Sequence, residues 1–115
     1  ANTLEVMKSF IGRTTLGIAS HDHPTIGVVA TNARLDKEQV NKVAQMAQDG
    51  LARTVRPAHT MVDGDTIFAL ATGKRKADVN IIGAFAAEVF AQAILRAVRT
   101  TKGVAEIPAI SDLAV

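Results

Sequence analysis

Two carboxylates, Asp63 and Asp65, stand one residue apart in the run Met61-Val62-Asp63-Gly64-Asp65-Thr66-Ile67, immediately ahead of the apolar stretch Ile67-Phe68-Ala69-Leu70-Ala71. Residues two apart on an extended chain project to the same side, so a strand here puts both acids on one face at the mouth of a buried strand. Charges at the end of a core strand are costly unless water or a partner takes them up. Such a pair can open an Asp-Gly turn, hold a divalent cation, or orient and stabilise a nearby ammonium group. No glycine-rich phosphate loop accompanies the pair and the strand after it is wholly apolar, which argues against magnesium.

The matching hydroxyl is Thr25. It heads a second β-rich run, Thr25-Ile26-Gly27-Val28-Val29-Ala30-Thr31, after the polar break Ser20-His21-Asp22-His23-Pro24. If the two runs pair side by side, Thr25, Asp63 and Asp65 meet at one end of the sheet. A threonine whose α-amino group is freed by chain cleavage carries nucleophile and base on one residue, because an α-amine titrates near neutral pH. Thr25, Asp63 and Asp65 are therefore the candidate catalytic residues. His21 and His23 lack a third ligand at metal spacing, so no metal and no cofactor are expected. His59, after Pro57-Ala58, reads as a turn residue rather than a general base.

The whole chain has 115 residues, 48% of them apolar, enough for one domain with a real core. Four Phe and neither Tyr nor Trp leave that core to Ala, Val, Ile and Leu, and leave no aromatic platform for stacking bases. Thirteen basic residues are spread against eleven acidic ones for a net charge of +2, so no nucleic-acid partner is expected. The one basic cluster, Lys74-Arg75-Lys76, reads as a solvated turn between a strand and a helix. Without cysteine there is no disulfide frame and no thiolate chemistry, and a cytoplasmic location fits. The first residues carry no basic, apolar signal pattern, and a start at Ala1 without Met suggests a processed or shortened chain. The most apolar segment, residues 79–98, contains Asn80, Glu88, Gln92 and Arg96, so it reads as the core helix of a soluble protein and not as a membrane span.

Stepping along the chain, residues 2–10 allow a short helix and residues 13–20 a short strand. Residues 25–31 form a buried strand in which Gly27 marks the close passage of another backbone. Asp36 with Gln39 three residues on makes a capping box. Val40, Val43, Ala44, Ala47, Leu51 and Val55 then fall on one helical stripe that ends before Pro57. Gly50 inside that helix costs about 1 kcal/mol relative to Ala and so marks tight packing. A second strand spans residues 65–72 and stops at Gly73. A second helix spans residues 79–100, with an apolar stripe so broad that both of its sides need cover. The tail from Gly103 is a loop with a short terminal element. The order is strand, helix, strand, helix, and two strands leave a sheet edge and a sheet face open, so a partner chain is expected.

In order along the chain, Thr25-Ile26-Gly27-Val28-Val29-Ala30-Thr31-Asn32-Ala33-Arg34-Leu35, Ala44-Gln45-Met46-Ala47, Gly50-Leu51-Ala52-Arg53, Arg56-Pro57-Ala58-His59-Thr60 and Asp63-Gly64-Asp65-Thr66-Ile67-Phe68-Ala69 resemble the C-terminal part of the S58 (P1) peptidase family. That family includes L-aminopeptidase/D-esterase, β-peptidyl aminopeptidase and the nylon-oligomer hydrolase. The resemblance implies an α+β fold, part of an αββα sandwich like that of the N-terminal nucleophile hydrolases. It implies a precursor that cleaves itself into a large and a small subunit, the small one beginning with the Ser or Thr nucleophile and supported by the Asp-Gly-Asp segment. Residues 1–24 would then be a lead-in and residues 25–115 the small-subunit region. The implied partners are the large subunit of the same precursor, further copies of that pair, and a small peptide or amide substrate.

One position departs from the pattern. Threonine-type members read Asn-Thr-Thr ahead of the strand, whereas this chain reads His23-Pro24-Thr25, so that without a gap Pro24 takes the nucleophile's place. Proline has no hydroxyl, and Thr25 could replace it only through a one-residue shift that turns its side chain to the other face. The resemblance with this change implies little or no hydrolysis by the unmodified chain, and a non-catalytic, assembly-only member as the competing reading.

Overall fold

The computed structural model describes residues 24–113. The helix expected over residues 2–10, the strand over 13–20, and His21 and His23 lie outside the described residues. Within them the chain runs β1 (Ile26–Ala33), α1 (Lys37–Thr54), β2 (Thr66–Arg75), α2 (Val79–Thr100) and a short 3-10 turn at Ile110–Asp112. The strand-helix-strand-helix order matches the sequence expectation. β1 and β2 pair in parallel, Ile26 with Thr66 through Thr31 with Ala71, with α1 as the crossover.

Side chains alternate along both strands. In β1, Val29 and Ala33 are buried and Gly27 and Thr31 half-buried beneath the helices, while Ile26 and Val28 are exposed on the other face. In β2, Ile67, Ala69 and Ala71 share the covered face, and Phe68 and Leu70 the open one. The core is therefore one-sided. Val29, Val43, Ala47, Leu51, Ala86 and Phe90 form its centre, drawn from β1, α1 and α2. Apart from Phe90, aliphatic residues carry it, in line with the composition.

α1 starts where the capping box predicts. The Asp36 carboxylate accepts from the Gln39 amide at 2.8 Å, and the Gln39 side chain accepts from the Asp36 amide at 3.0 Å. These bonds satisfy two backbone donors at once. Val55, placed on the apolar stripe by periodicity, sits beyond the helix end and is exposed. α2 keeps the expected limits, capped by the Asp78 carboxylate on the amides of Asn80 and Ile81. Its inner face carries small residues, Gly83, Ala86, Ala87 and Ala91, which let α1 approach closely. A methyl group on Gly50 would overlap the Ala87 carbonyl oxygen, so this glycine is required by helix contact, as read from the sequence.

Two local expectations are corrected. Gly27 is needed because the ring of Phe90 lies over it, so a side chain and not a passing backbone excludes a Cβ there. β2 does not stop at Gly73 but continues to Arg75, which makes Lys74 and Arg75 strand residues rather than turn residues. Gly73 adopts φ 75°, a conformation glycine takes without steric cost, and the pairing slips there from Thr31 with Ala71 to Ala33 with Arg75. Among the described residues one side of the broad α2 stripe is covered, while Phe85 and Val89 remain exposed.

Candidate active site

The N-terminal ends of the two parallel strands lie side by side, which brings Thr25 to the Asp63-Gly64-Asp65 segment. The Thr25 amide donates to Asp65 Oδ1 at 2.7 Å, and the Thr25 carbonyl accepts from the Thr66 amide at 2.9 Å. The first rung of the sheet is thus closed by a carboxylate where a main-chain acceptor would otherwise stand. Asp65 is half-buried, and so is Thr25. Gly64 contributes by what it lacks: a Cβ on it would come to 3.3 Å from Pro24 Cβ, so the bare backbone lets the Pro24-Thr25 corner close against this segment.

Asp63 has a different role from its neighbour. Its carboxylate accepts from the Thr60 amide at 2.8 Å, while its own amide donates to the Thr60 carbonyl at 3.1 Å. The two bonds lock a turn with Met61 and Val62 at its tip. The expected common face of Asp63 and Asp65 presupposed an extended chain, but β2 begins only at Thr66 and the alternation does not reach back to Asp63. Asp65 therefore faces the head of β1, and Asp63 shapes the loop that delivers Asp65. Thr60 was not singled out from the sequence, although Thr60-x-x-Asp63 has the spacing of a side chain reaching back to a main-chain amide. Its hydroxyl is buried without a hydrogen-bond partner among the described residues. His59 is exposed with φ 61°, in keeping with the turn read from the sequence.

Pro24 and Thr25 precede β1, with Pro24 exposed and Thr25 half-buried. Chemically, the assembly offers a carboxylate bonded to one backbone nitrogen, next to a hydroxyl residue at a strand head. An ammonium group at that nitrogen would be held by the same oxygen.

The profile of Peptidase family S58 matches residues 1–108. The chain belongs to this family. An uncharacterised aminopeptidase of Mycobacterium leprae is 50% identical to it, across 73% of this chain and 27% of that protein. An uncharacterised aminopeptidase of Mycobacterium bovis is 42% identical, across 77% and 30%. A 6-aminohexanoate-oligomer endohydrolase of a Kocuria species is 31% identical, across 65% and 25%. The chain of this S58 member thus spans at most about a third of the length of these relatives.

Proposed function

We propose that this chain is the small-subunit region of a self-processing amide hydrolase, with aminopeptidase or oligoamide substrates, and that it supplies half of an active site. The observation that carries the reading is the 2.7 Å bond from the Thr25 nitrogen to Asp65. After cleavage of the preceding bond, that nitrogen becomes an α-amine, already oriented by a carboxylate and adjacent to the Thr25 hydroxyl. Thr25 then serves as nucleophile and base, Asp65 holds the amine, and Asp63 fixes the loop carrying Asp65. The oxyanion donors and substrate walls come from the remainder of the protein, and the exposed sheet face of Ile26, Val28, Phe68 and Leu70 fits a second sheet laid on it in an αββα sandwich.

A second reading is favoured by Pro24. With no hydroxyl at residue 24, where the family pattern has its nucleophile, the chain would keep only its assembly role. Intact-mass analysis and an amide-hydrolysis assay on the full-length protein separate the two. A fragment starting at Thr25, with activity lost in Thr25→Ala, is the outcome of the first reading; a single uncut, inactive chain is the outcome of the second.

A further inference from the structure

We infer that the outer face of α2 is a self-pairing surface, on which α2 of a second copy of this protein lies antiparallel about a two-fold axis at Gln92. The inference rests on the proposed sandwich and concerns the face that such a sandwich leaves outermost. The second sheet would lie on Ile26, Val28, Phe68 and Leu70, on the far side of the sheet from α2. Gly83, Ala86, Ala87, Phe90 and Ala91 turn inwards and are buried. At about 100° per residue, Ile81, Phe85, Val89 and Leu95 fall on the opposite side of the helix, within an arc of about 120°. They are exposed, from 41% for Leu95 to 65% for Phe85. Exposed Glu88, Gln92, Arg96 and Arg99 lie in the same arc.

Charge along the stripe selects the occupant and its direction. The acid, Glu88, lies before Gln92, and the two cations, Arg96 and Arg99, lie after it. Glu88 and Arg96 are equally far from Gln92, so a two-fold axis there sets each Glu88 against Arg96 of the second copy, twice in one interface. The same turn sets Val89 against Leu95, and the Phe85 ring against the Arg99 guanidinium, a cation over an aromatic face. A parallel neighbour in register would instead set like charges together. Within the chain, Glu88 accepts from Gln92 Nε2 at 2.8 Å and has Arg53 at 4.0 Å, whereas Arg96 and Arg99 have no ion pair among the described residues. The surface therefore carries its own complement, cations awaiting an acid that a second copy brings at the matching position.

Cysteine cross-linking and a charge exchange in the full-length protein test this. Residues 1–115 contain no cysteine. Gln92→Cys meets itself at the axis, where close helix packing brings facing Cα atoms to about 5 Å, within disulfide reach. Under mild oxidation it should join two copies and double the mass on a non-reducing gel. Ile81→Cys, on the same stripe, would stand about 33 Å from its counterpart and should stay unlinked, as should the unmodified protein. In sedimentation, Arg96→Glu should raise the dissociation constant of the pair at least about tenfold, and Glu88→Arg added to it should restore association. No link at residue 92, or equal linking at 81 and 92, would overturn the proposal, the first being the outcome if the protein's own remaining chain covers α2. So would an Arg96→Glu protein that associates unchanged, or a double variant that does not recover. None of these readouts depends on cleavage or hydrolysis, so an uncut, inactive protein leaves the test intact.

Discussion

Asp65 is the residue on which the site turns, because among the described residues it alone joins the two strand heads through a side-chain hydrogen bond. A hydrogen bond to a charged acceptor at a half-buried position contributes on the order of 1.5–3 kcal/mol. Asp65→Ala should accordingly destabilise the assembled protein by about that amount in denaturant melts, whereas Asp65→Asn, which keeps an acceptor oxygen, should lose less than half as much. Asp63→Ala removes an exposed turn bond that water can replace, and should cost under about 1 kcal/mol. If the two alanine variants prove equally destabilising, the division of labour between the acids is wrong. The meeting of Thr25 with Asp65 was legible from two strand heads carrying complementary chemistry. The turn at Asp63 was not, because alternation was carried two residues beyond the strand to which it applies.

At the scale of elements, the two helices were read most accurately, since capping acids and periodic apolar residues are local signals. Asp36→Ala should remove the carboxylate half of the capping box, the bond from the Gln39 amide, and cost about 1 kcal/mol, measurable as a lowered melting temperature. Gly50→Ala should cost about 1–3 kcal/mol despite the higher helix propensity of alanine, because its methyl group meets the Ala87 carbonyl. A stabilised Gly50→Ala protein would mean that α1 and α2 do not cross at that point. The strands were less legible. Gly73 carries the punctuation of a strand end, yet the pairing slips around it and continues to Arg75, a matter of register with β1 that no window of β2 residues contains. Gly27 was correctly identified as a close approach, but Phe90, 63 residues further on, decides what approaches.

At the scale of the whole molecule, apolar surface lies open on both the sheet and the helix layer. Ile26, Val28, Phe68 and Leu70 on the sheet, and Ile81, Phe85 and Val89 on α2, remain exposed together. Apolar surface of this kind is uncommon on a self-sufficient monomer. Residues 1–115 produced alone should therefore bind hydrophobic dyes and aggregate, and coexpression with the rest of the protein should rescue them. A sharp, cooperative melt from a monomer of the isolated chain would contradict this.

The central claim, that Thr25 acts as an N-terminal nucleophile held by Asp65, is tested most directly by intact-mass analysis of the full-length protein with parallel assay of amide hydrolysis. The unmodified protein, Thr25→Ala, and the double replacement His23→Asn with Pro24→Thr should be compared. The claim predicts a fragment beginning at Thr25 in the unmodified protein, and loss of both fragment and activity in Thr25→Ala. An uncut and inactive unmodified protein, with cleavage and activity appearing only once residues 23 and 24 read Asn-Thr, would contradict it and leave this chain an assembly role.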